Sequence, residues 1–201
     1  MNTNHLQTSL TNLAPVEGEL YLIDKFYSPP HADKLFNCLI NDLAWQEEEI
    51  CIYGRWVKVP RLMCWYGDEH ASYEYSHVVH QPLPWTDDLQ NIQEDIQPFS
   101  AYRFNSVLGN LYRDGNDSMG SHADDEPELG QNPVIASLSL GESRNLKLKH
   151  QQHKTVLDVP LEHGDLLIMA GTLQHHWQHS LPKTKRLKQA RINLTFRTVF
   201  Y

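Results

Sequence analysis

The stretch GSHADDEPEL, residues 120–129, concentrates the residue types that most often bind metal ions. His122 and Asp124 are two positions apart, and in an extended segment residues at that spacing project from the same side. An imidazole and a carboxylate on one segment, joined by a third ligand from elsewhere, can bind a metal ion and leave positions open for substrates. A solvated surface turn is the alternative, because this pair of residues is common at this spacing.

A calcium loop is a second alternative for the same region, and the sequence argues against it. From Asp114 onward, DGNDSMGSHADD offers oxygen ligands in its first half. An EF-hand loop then requires Gly at position six and Glu at position twelve. The chain has Met119 and Asp125 there, and the flanking segments are predicted as strands, so we do not expect a calcium site.

A third metal ligand must come from the downstream histidines, which are His150, His153, His163, His175, His176 and His179. Spacing alone does not select one of them. The C-terminal segment ARINLTFRTVF supplies a different signal, because strand alternation places four polar residues on one face and Ile192, Leu194 and Phe196 on the other. The polar four are Arg191, Asn193, Thr195 and Arg197. Such a face could point to water, but two arginines and an asparagine also suit a dicarboxylate or another anion.

The elements that must position these residues are mainly short strands. Two helices are predicted, over residues 29–45 and 87–96, from their apolar spacing. Residues 50–68 alternate around a Tyr-Gly turn and predict a hairpin. From Asn105 onward the runs SVLGNLYR, VIASLSLG, NLKLKH, KTVLDVPL, GDLLIMA, HHWQHSL and INLTFRTVF predict strands separated by turns. Many short strands at near-regular spacing indicate a sandwich or barrel, the class that includes the jelly roll.

Composition limits the remaining possibilities. A chain of 201 residues with 40% hydrophobic content can bury one core, after a polar N-terminal tail at residues 1–15. No apolar run approaches the roughly 20 residues of a membrane span, and the N-terminus has no secretory signal pattern. Three cysteines without CxxC spacing indicate free thiols, and we expect an intracellular, cytoplasmic protein, or a nuclear one if eukaryotic. The net charge of −8 disfavours nucleic acid, but residues 181–191 carry five basic side chains that permit phosphate contact.

Four motifs together resemble the AlkB-type iron(II)- and 2-oxoglutarate-dependent dioxygenases. They are Asn110-x-Tyr112, His122-x-Asp124, HSLP at residues 179–182 and Arg191-x-Asn193-x-x-x-Arg197. They occur in the family's order, and the likeness runs from about Tyr66 to the C-terminus. FNSVLGNLYRDG, HADDE, PVIASLSLG and PRLMCWYGD are most similar to the DNA-repair branch, which removes alkyl groups from bases.

The resemblance implies an α+β, mainly β fold: a double-stranded β-helix (jelly roll) core at about residues 100–201, N-terminal helices, and a β-hairpin nucleotide-recognition lid at about 45–80. Residues 16–201 would form one catalytic domain. It also implies that His122, Asp124 and His179 bind Fe(II). Arg191 would bind the distal carboxylate of 2-oxoglutarate and Arg197 its metal-side carboxylate. Further hydrogen bonds to this cosubstrate would come from Asn110, Tyr112 and Asn193.

On the substrate side, the resemblance places Tyr73, Tyr75 and Ser76 around a flipped base. Tyr75 would stack on the base opposite the His122 ring, and Asp125, counted with the catalytic residues, would contact the edge of a cationic alkylated base. An aromatic strand packed on the core is the alternative for the two tyrosines. Ile52, Tyr53 and Gly54 would form a wedge that fills the gap left by the extruded base, with an ordinary hairpin tip as the alternative.

These implications predict a monomeric DNA repair enzyme that uses Fe(II), 2-oxoglutarate and O2. It would remove alkyl groups from N-alkylated bases of the 1-methyladenine and 3-methylcytosine type, releasing formaldehyde and succinate. The cationic lesions would suit the acidic edge at Asp125, and Lys183 to Lys188 would contact phosphates. The same chemistry on RNA or on a substrate other than nucleic acid is one alternative. A catalytically silent jelly roll that binds nucleic acid or metal is the other.

Overall fold

The computed structural model describes residues 10–52, 54–71, 73–75 and 78–200, with the backbone alone for residues 50–52, 73–75 and 78–80. Two antiparallel sheets face each other across an apolar interior, and two amphipathic helices cover the outer face of the larger sheet. Strand residues far outnumber helical ones in the described ranges. This arrangement confirms the mainly β class and the jelly-roll core predicted from the sequence.

The larger sheet contains seven of the described strands, in the spatial order β1, β11, β8, β13, β6, β3, β2. Their bounds are β1 Glu19–Ile23, β2 Gln46–Ile52, β3 Arg55–Gly67, β6 Ser106–Tyr112, β8 Ile135–Gly141, β11 Leu166–Ala170 and β13 Arg191–Arg197. The C-terminal strand β13 lies in the middle, paired with β6 on one side and β8 on the other. Both of its edges are therefore hydrogen-bonded to neighbouring strands.

The smaller sheet contains four described strands, in the order β10, β9, β12, β7. Their bounds are β7 Met119–His122, β9 Arg144–His150, β10 Val156–Leu161 and β12 Trp177–Leu181. Apolar residues from both sheets meet between them, among them Ile135 and Met169 of the larger sheet and Leu148 and Trp177 of the smaller one. Burial of these side chains holds the two sheets together.

The helices cover the outer face of the larger sheet. Helix α1, Pro29–Asp42, begins with proline, which suits the first helical turn, and buries Leu35 and Leu39. Helix α2, Asp87–Ile96, begins after Thr86, whose side chain accepts a hydrogen bond from the Leu89 amide. The α2 bounds equal the predicted ones. The prediction for α1 extended to residue 45, but the chain leaves the helix at Leu43, which has extended backbone angles.

Two hairpins lie beside the jelly roll. Strands β2 and β3 pair around a turn at Gly54, whose φ of 75° favours glycine, and this confirms the predicted hairpin. The long strand β3 continues from this hairpin into the larger sheet, where it pairs with β6. A second, short hairpin joins β4, Tyr73–Tyr75, to β5, Val78–His80.

Two local features differ from the sequence prediction or were missed by it. Strand β1 and the described part of the N-terminal tail pack on the sheets: the Leu13 amide donates to the Leu20 carbonyl, and Ala14 is buried. The strand predicted over residues 175–181 begins only at Trp177, because residues Leu173–His176 form a single helical turn, α3. In the described ranges, no helix is long and apolar enough to cross a membrane.

Candidate functional site

The three predicted metal ligands lie together at the open end of the smaller sheet. Strands β7 and β12 pair so that His122 is directly opposite His179, and the centres of their imidazole rings are 4.3 Å apart. Cross-strand partners on one face are neighbours by geometry, which explains how residues far apart in sequence meet. Asp124 follows on the same side, with its Oδ1 atom 3.6 Å from Nε2 of His122. One ligand atom from each residue lies within 4.8 Å of the other two.

The surroundings orient these side chains. The Gly120 carbonyl lies 3.0 Å from Nδ1 of His122 and accepts a hydrogen bond from it, which orients the ring with Nε2 toward Asp124. The Asp124 backbone amide donates to Oε1 of Gln174, a buried residue of helix α3. Metal-binding side chains in proteins are held in this way by outer hydrogen bonds. Gln174 was not predicted, because its role depends on a contact with a residue fifty positions away.

The electrostatics of the site favour ligand-competent protonation states. Burial alone would raise the pKa of the Asp124 carboxyl, but the Arg197 guanidinium and the two imidazoles outweigh it, and the pKa is lowered. Arg197 donates through Nη2 to Oδ2 of Asp124 at 2.9 Å. Burial, helped by His122, lowers the pKa of His179 to about 4. A neutral imidazole beside an ionised carboxylate is the donor set that a divalent metal ion requires, so these residues fit the predicted iron.

The polar face of β13 points into the space between the sheets. Its residues Arg191, Asn193 and Thr195 are all buried, so the alternative that this face points to water is wrong. In register, Arg191 pairs with Tyr112, and Asn193 pairs with Asn110. The predicted cosubstrate residues from β6 and β13 are therefore brought onto one surface.

Arg191 is the more buried of the two arginines on this face. It is 2% exposed, its Nη2 donates to Oγ of Ser139 at 2.9 Å, and its guanidinium carbon lies 5.4 Å from the centre of the Tyr112 ring. Burial lowers its pKa to about 10, which leaves it cationic at neutral pH. Its Nε atom has no hydrogen-bond partner within the described ranges. A buried cation with an unused donor is a suitable receptor for a carboxylate.

The cavity beside the metal ligands is polar at one side and apolar at the other. Its lining combines Asn110, Asn193, Thr195 and Arg197 with Leu108, Met119, Leu146 and Met169, and the metal ligands themselves also line it. Arg61 and Ser137 complete this lining. The amide of Asn193 donates to Oγ of Ser137 at 2.8 Å, which fixes its orientation.

Arg61 is a cavity residue that the sequence analysis did not identify. Its Nε donates to Oδ1 of Asn110 at 2.5 Å, and its Nη1 donates to the Ser118 carbonyl. The sequence does contain a signal for Arg61, because this residue lies in PRLMCWYGD, a segment that resembles the DNA-repair branch of the family. The neighbouring strand residue Met63 pairs with Asn110, and only this pairing shows that β3 borders the cavity.

The predicted substrate residues are only partly described. Asp125 is exposed beside the buried Asp124, and the side chain of His122 is 37% exposed. Gly54 forms the hairpin turn. Tyr53 and Ser76 lie outside the described residues, and so do the side chains of Ile52, Tyr73 and Tyr75. The base-binding and wedge assignments therefore stay predictions.

The basic segment at residues 181–191 is less cationic at its surface than its sequence indicates. Lys183, Lys185 and Arg186 are exposed, whereas Lys188 pairs with Glu142 at 2.8 Å. Arg191 belongs to the interior and does not contribute to this surface. Three exposed cations remain there for contact with phosphates.

Comparisons with known proteins agree with this geometry. The family model described as the 2OG-Fe(II) oxygenase superfamily matches residues 19–197. The human protein named alpha-ketoglutarate-dependent dioxygenase alkB homolog 3 is 37% identical over 185 residues, covering 87% of this chain and 64% of the relative. The human DNA oxidative demethylase ALKBH2 is 34% identical over 184 residues, covering 86% of this chain and 70% of the relative.

A solved structure titled "The structure of OsALKBH1" superposes on this chain with a TM-score of 0.61 at 19% sequence identity. The superposition covers 94% of this chain and 99% of that one, and at this identity it is evidence for the fold only. The chain spans just under two thirds of the length of the alkB homolog 3 relatives that it matches. The family match covers nearly the whole sequence and includes His122, Asp124 and His179. The chain therefore belongs to the 2OG-Fe(II) oxygenase superfamily and, within it, to the AlkB type.

Proposed function

We propose that the protein is an Fe(II)- and 2-oxoglutarate-dependent dioxygenase that removes alkyl groups from N-alkylated bases in DNA. The observation that carries the proposal is the meeting of two groups of side chains at one cavity. His122, Asp124 and His179 form a set of possible metal ligands, and the polar face of β13 lines the same cavity through Asn193, Thr195 and Arg197. Arg191 is buried on the same face of that strand. The names of the similar proteins, among them DNA oxidative demethylase, support the same chemistry.

The metal ligands and the cosubstrate residues have separate roles in this proposal. Iron(II) held by His122, Asp124 and His179 would supply the activation of O2 and the oxidation of the alkyl carbon. Arg191 binds the distal carboxylate of 2-oxoglutarate through its guanidinium. The decarboxylation of 2-oxoglutarate to succinate accompanies loss of the alkyl group as formaldehyde.

Hydrogen bonding orients the same cosubstrate. Asn110, Tyr112 and Asn193 surround it on the β6–β13 surface, and Arg61 holds the Asn110 amide in place. Arg197 already holds the Asp124 carboxylate, and its guanidinium also lies at the cavity, where it would anchor the second carboxylate of 2-oxoglutarate. The apolar part of the lining excludes water from the reaction.

The substrate base would enter on the exposed side of the metal ligands. The partly exposed His122 ring offers a stacking surface, and the exposed Asp125 carboxylate would attract the positive charge of 1-methyladenine or 3-methylcytosine. We assign residues of about 45–80 to a recognition lid, with Ile52, Tyr53 and Gly54 as its wedge and Tyr73, Tyr75 and Ser76 around the base. Lys183, Lys185 and Arg186 would contact phosphates.

Mass spectrometry of defined methylated oligonucleotides tests the proposal. The protein is incubated in air with Fe(II), 2-oxoglutarate and matched DNA and RNA strands that carry 1-methyladenine or 3-methylcytosine. We expect loss of the methyl group from DNA together with succinate formation. His122→Ala should abolish turnover, whereas His175→Ala, which removes a nearby exposed imidazole outside the ligand set, should retain it.

Each alternative has its own result in this experiment. Demethylation of RNA with none of DNA would assign the chemistry to RNA. A folded protein that binds iron and methylated DNA but forms no succinate would be a catalytically silent jelly roll.

A further inference from the structure

The single helical turn α3, Leu173–His176, contacts both ends of the segment that begins with the predicted ligand Asp124 and runs to Asn132. At the start of this segment, the Asp124 backbone amide donates to Oε1 of Gln174 at 2.9 Å. At its end, Nε2 of His175 lies 3.1 Å from Oδ1 of Asn132. Two consecutive residues of one turn therefore hold this segment at both ends.

The Asp124 amide depends on this contact because it lies beyond the end of strand β7. The strand ends at His122, and its pairing with β12 stops there. Gln174 takes the place of the next strand partner and is itself buried, at 1% exposed. Backbone amides in the interior are almost always hydrogen-bonded, and removing the acceptor of a buried donor is unfavourable. Gln174 is therefore a structural requirement of the backbone at Asp124.

The orientation of the Gln174 side-chain amide follows from its two neighbours. Its Nε2 atom lies 3.7 Å from Sδ of Met169, and a thioether sulfur can only accept a hydrogen bond. The Asp124 backbone amide can only donate, so the side-chain oxygen must face Asp124 and the nitrogen must face Met169. Because Met169 belongs to β11, Gln174 connects Asp124 to the larger sheet.

The carboxylate of Asp124 is fixed by a separate contact. Nη2 of Arg197 donates to its Oδ2 atom at 2.9 Å, and Oδ1 lies 3.6 Å from Nε2 of His122. Gln174 holds the backbone from which this carboxylate projects. A ligand atom has a defined position only if both are held, because a side chain moves with its backbone.

The same helical turn also leads into the third predicted ligand. Strand β12 begins at Trp177, directly after α3, and it carries His179 five residues after Gln174. A shift of α3 would therefore move Asp124 through its hydrogen bond and His179 through the chain.

We propose that Gln174 is a positioning residue for the metal site, which fixes Asp124 relative to His179 and so determines how tightly the site binds its ion. It acts through the backbone of Asp124. The inference rests on the metal ligands of the proposed function, but it is independent of the nucleic acid that the enzyme uses. Loss of an outer hydrogen-bond partner of a metal ligand typically lowers metal affinity by roughly 10- to 100-fold.

Titration of the full chain with Co²⁺, in the absence of 2-oxoglutarate, tests this role. Co²⁺ accepts the same imidazole and carboxylate donors as Fe²⁺. We expect Gln174→Met, which is similar in length but lacks the amide oxygen, to bind Co²⁺ roughly 10- to 100-fold more weakly than the wild type. Gln174→Glu keeps an oxygen acceptor for the Asp124 amide and should recover most of the affinity.

Two further variants are the controls. His175→Ala lies on the same turn but removes a contact with the far end of the segment, so it should bind Co²⁺ as the wild type does. His122→Ala measures any Co²⁺ that is bound elsewhere on the chain, and this amount is subtracted. If His122→Ala binds as much Co²⁺ as the wild type, the ligand assignment is wrong and both proposals fail.

The visible absorption of bound Co²⁺ supplies a measurement that a purely structural role would not change. Its bands depend on the geometry of the ligands. At saturation, the spectrum of Gln174→Met should therefore differ from that of the wild type, whereas the spectrum of His175→Ala should not. Thermal unfolding of the metal-free proteins identifies the variants that fold. If Gln174→Met does not fold, Gln174→Asn replaces it, because its shorter side chain withdraws the oxygen from the Asp124 amide.

Two results would overturn the inference about Gln174 while the ligand assignment stands. The first is wild-type affinity for Co²⁺ in a folded variant that lacks the acceptor oxygen, together with loss of binding in His122→Ala. The second is an equal loss of affinity in Gln174→Met and Gln174→Glu, because packing rather than the hydrogen bond would then explain the effect.

Discussion

Replacing Arg191 with lysine tests the predicted cosubstrate site most directly. Lysine keeps the positive charge but cannot form the two parallel hydrogen bonds that a guanidinium makes with a carboxylate. Nε of Arg191 is a buried donor without a hydrogen-bond partner in the described part of the chain, and a bidentate pair would satisfy it. We therefore expect Arg191→Lys to weaken binding of 2-oxoglutarate while the rest of the cavity stays intact.

The expected magnitude follows from the loss of one charge-assisted hydrogen bond. Such a bond contributes about 1.5–3 kcal/mol, and at about 1.4 kcal/mol per tenfold this corresponds to a KM for 2-oxoglutarate that is roughly 10- to 150-fold higher. The change should be mainly in KM, because Arg191 would hold the cosubstrate equally in the ground state and the transition state. Succinate formation at varied 2-oxoglutarate concentration gives KM and kcat separately.

An equilibrium measurement can confirm the kinetic one. At a concentration one hundred times its Kd, 2-oxoglutarate should stabilise the anaerobic Fe(II) protein by about 2.7 kcal/mol. If Arg191→Lys binds one hundred times more weakly, about 0.4 kcal/mol of this stabilisation remains at the same concentration. Thermal unfolding with and without 2-oxoglutarate measures the difference.

Arg144→Lys is the matched control. Arg144 lies over the same Tyr112 ring, at 5.7 Å, but its guanidinium donates to the backbone carbonyls of Asp114, Asp117 and Pro182. Its replacement should lower the Tm and leave KM for 2-oxoglutarate unchanged. A folded Arg191→Lys protein with wild-type KM and wild-type stabilisation by 2-oxoglutarate would refute the assignment of Arg191.

Three further predictions concern stability and the lid. Gly18→Ala should destabilise the fold by about 1–3 kcal/mol, because φ is 139° and the new Cβ would meet Leu173; denaturant unfolding measures this. Acid unfolding should depend on Asp117, because its hydrogen bonds with Arg113 outweigh burial and lower its carboxyl pKa. The ionised carboxylate of Asp117 contributes its full stabilisation above the unfolded-state pKa of about 4, and this stabilisation is lost as the pH falls through the lower folded-state pKa. In Asp117→Asn the free energy of unfolding should therefore fall less steeply as the solution is acidified. Tyr53→Ala should reduce demethylation of duplex DNA more than that of single strands, measured on matched oligonucleotides.

Each of these predictions has a result that contradicts it. Gly54→Ala is the control for Gly18, since Gly54 also has a positive φ but has no atom within 4 Å of an added Cβ. Equal losses in the two variants would show that the contact with Leu173 has no effect. If the acid limb of the stability–pH curve is unchanged in Asp117→Asn, the ion pair between Asp117 and Arg113 does not contribute to acid unfolding. Equal loss on duplex and single strands would contradict the wedge assignment of Tyr53.

The sequence predicted the local elements of the site better than their contacts. Helix α2 and the β2–β3 hairpin could be identified because their apolar pattern and turn residues are local signals. The alternation of β13 was identified too, but whether its polar face met water or the interior depended on the second sheet. The pairing of β7 with β12 in that sheet is non-local, as in His122 with His179, and no local pattern encodes its register.

Residues that act through long-range contacts were missed for the same reason. Gln174 has no local sequence signal, and Arg61 belongs to the PRLMCWYGD segment without a motif of its own. Only the folded chain places one against Asp124 and the other against Asn110. The selection of His179 from six histidines depended on the family resemblance. The structure now gives a physical basis for that selection, because His175 and His176 lie on helix α3 and contact other groups.

Strand β13 contributes to the apolar core and to the cavity at the same time, so the register that forms the core also forms the cavity lining. One of its faces supplies Ile192, Leu194 and Phe196 to the apolar core, and the other supplies the cavity. Because alternate residues point to opposite sides, a slip of one residue against β6 or β8 would bury Arg191 among the helices and turn leucine toward the metal ligands. Molecules that reach the native core thus already present the polar face of β13 to the cavity, and a misregistered strand is destabilised because it buries polar side chains in the core.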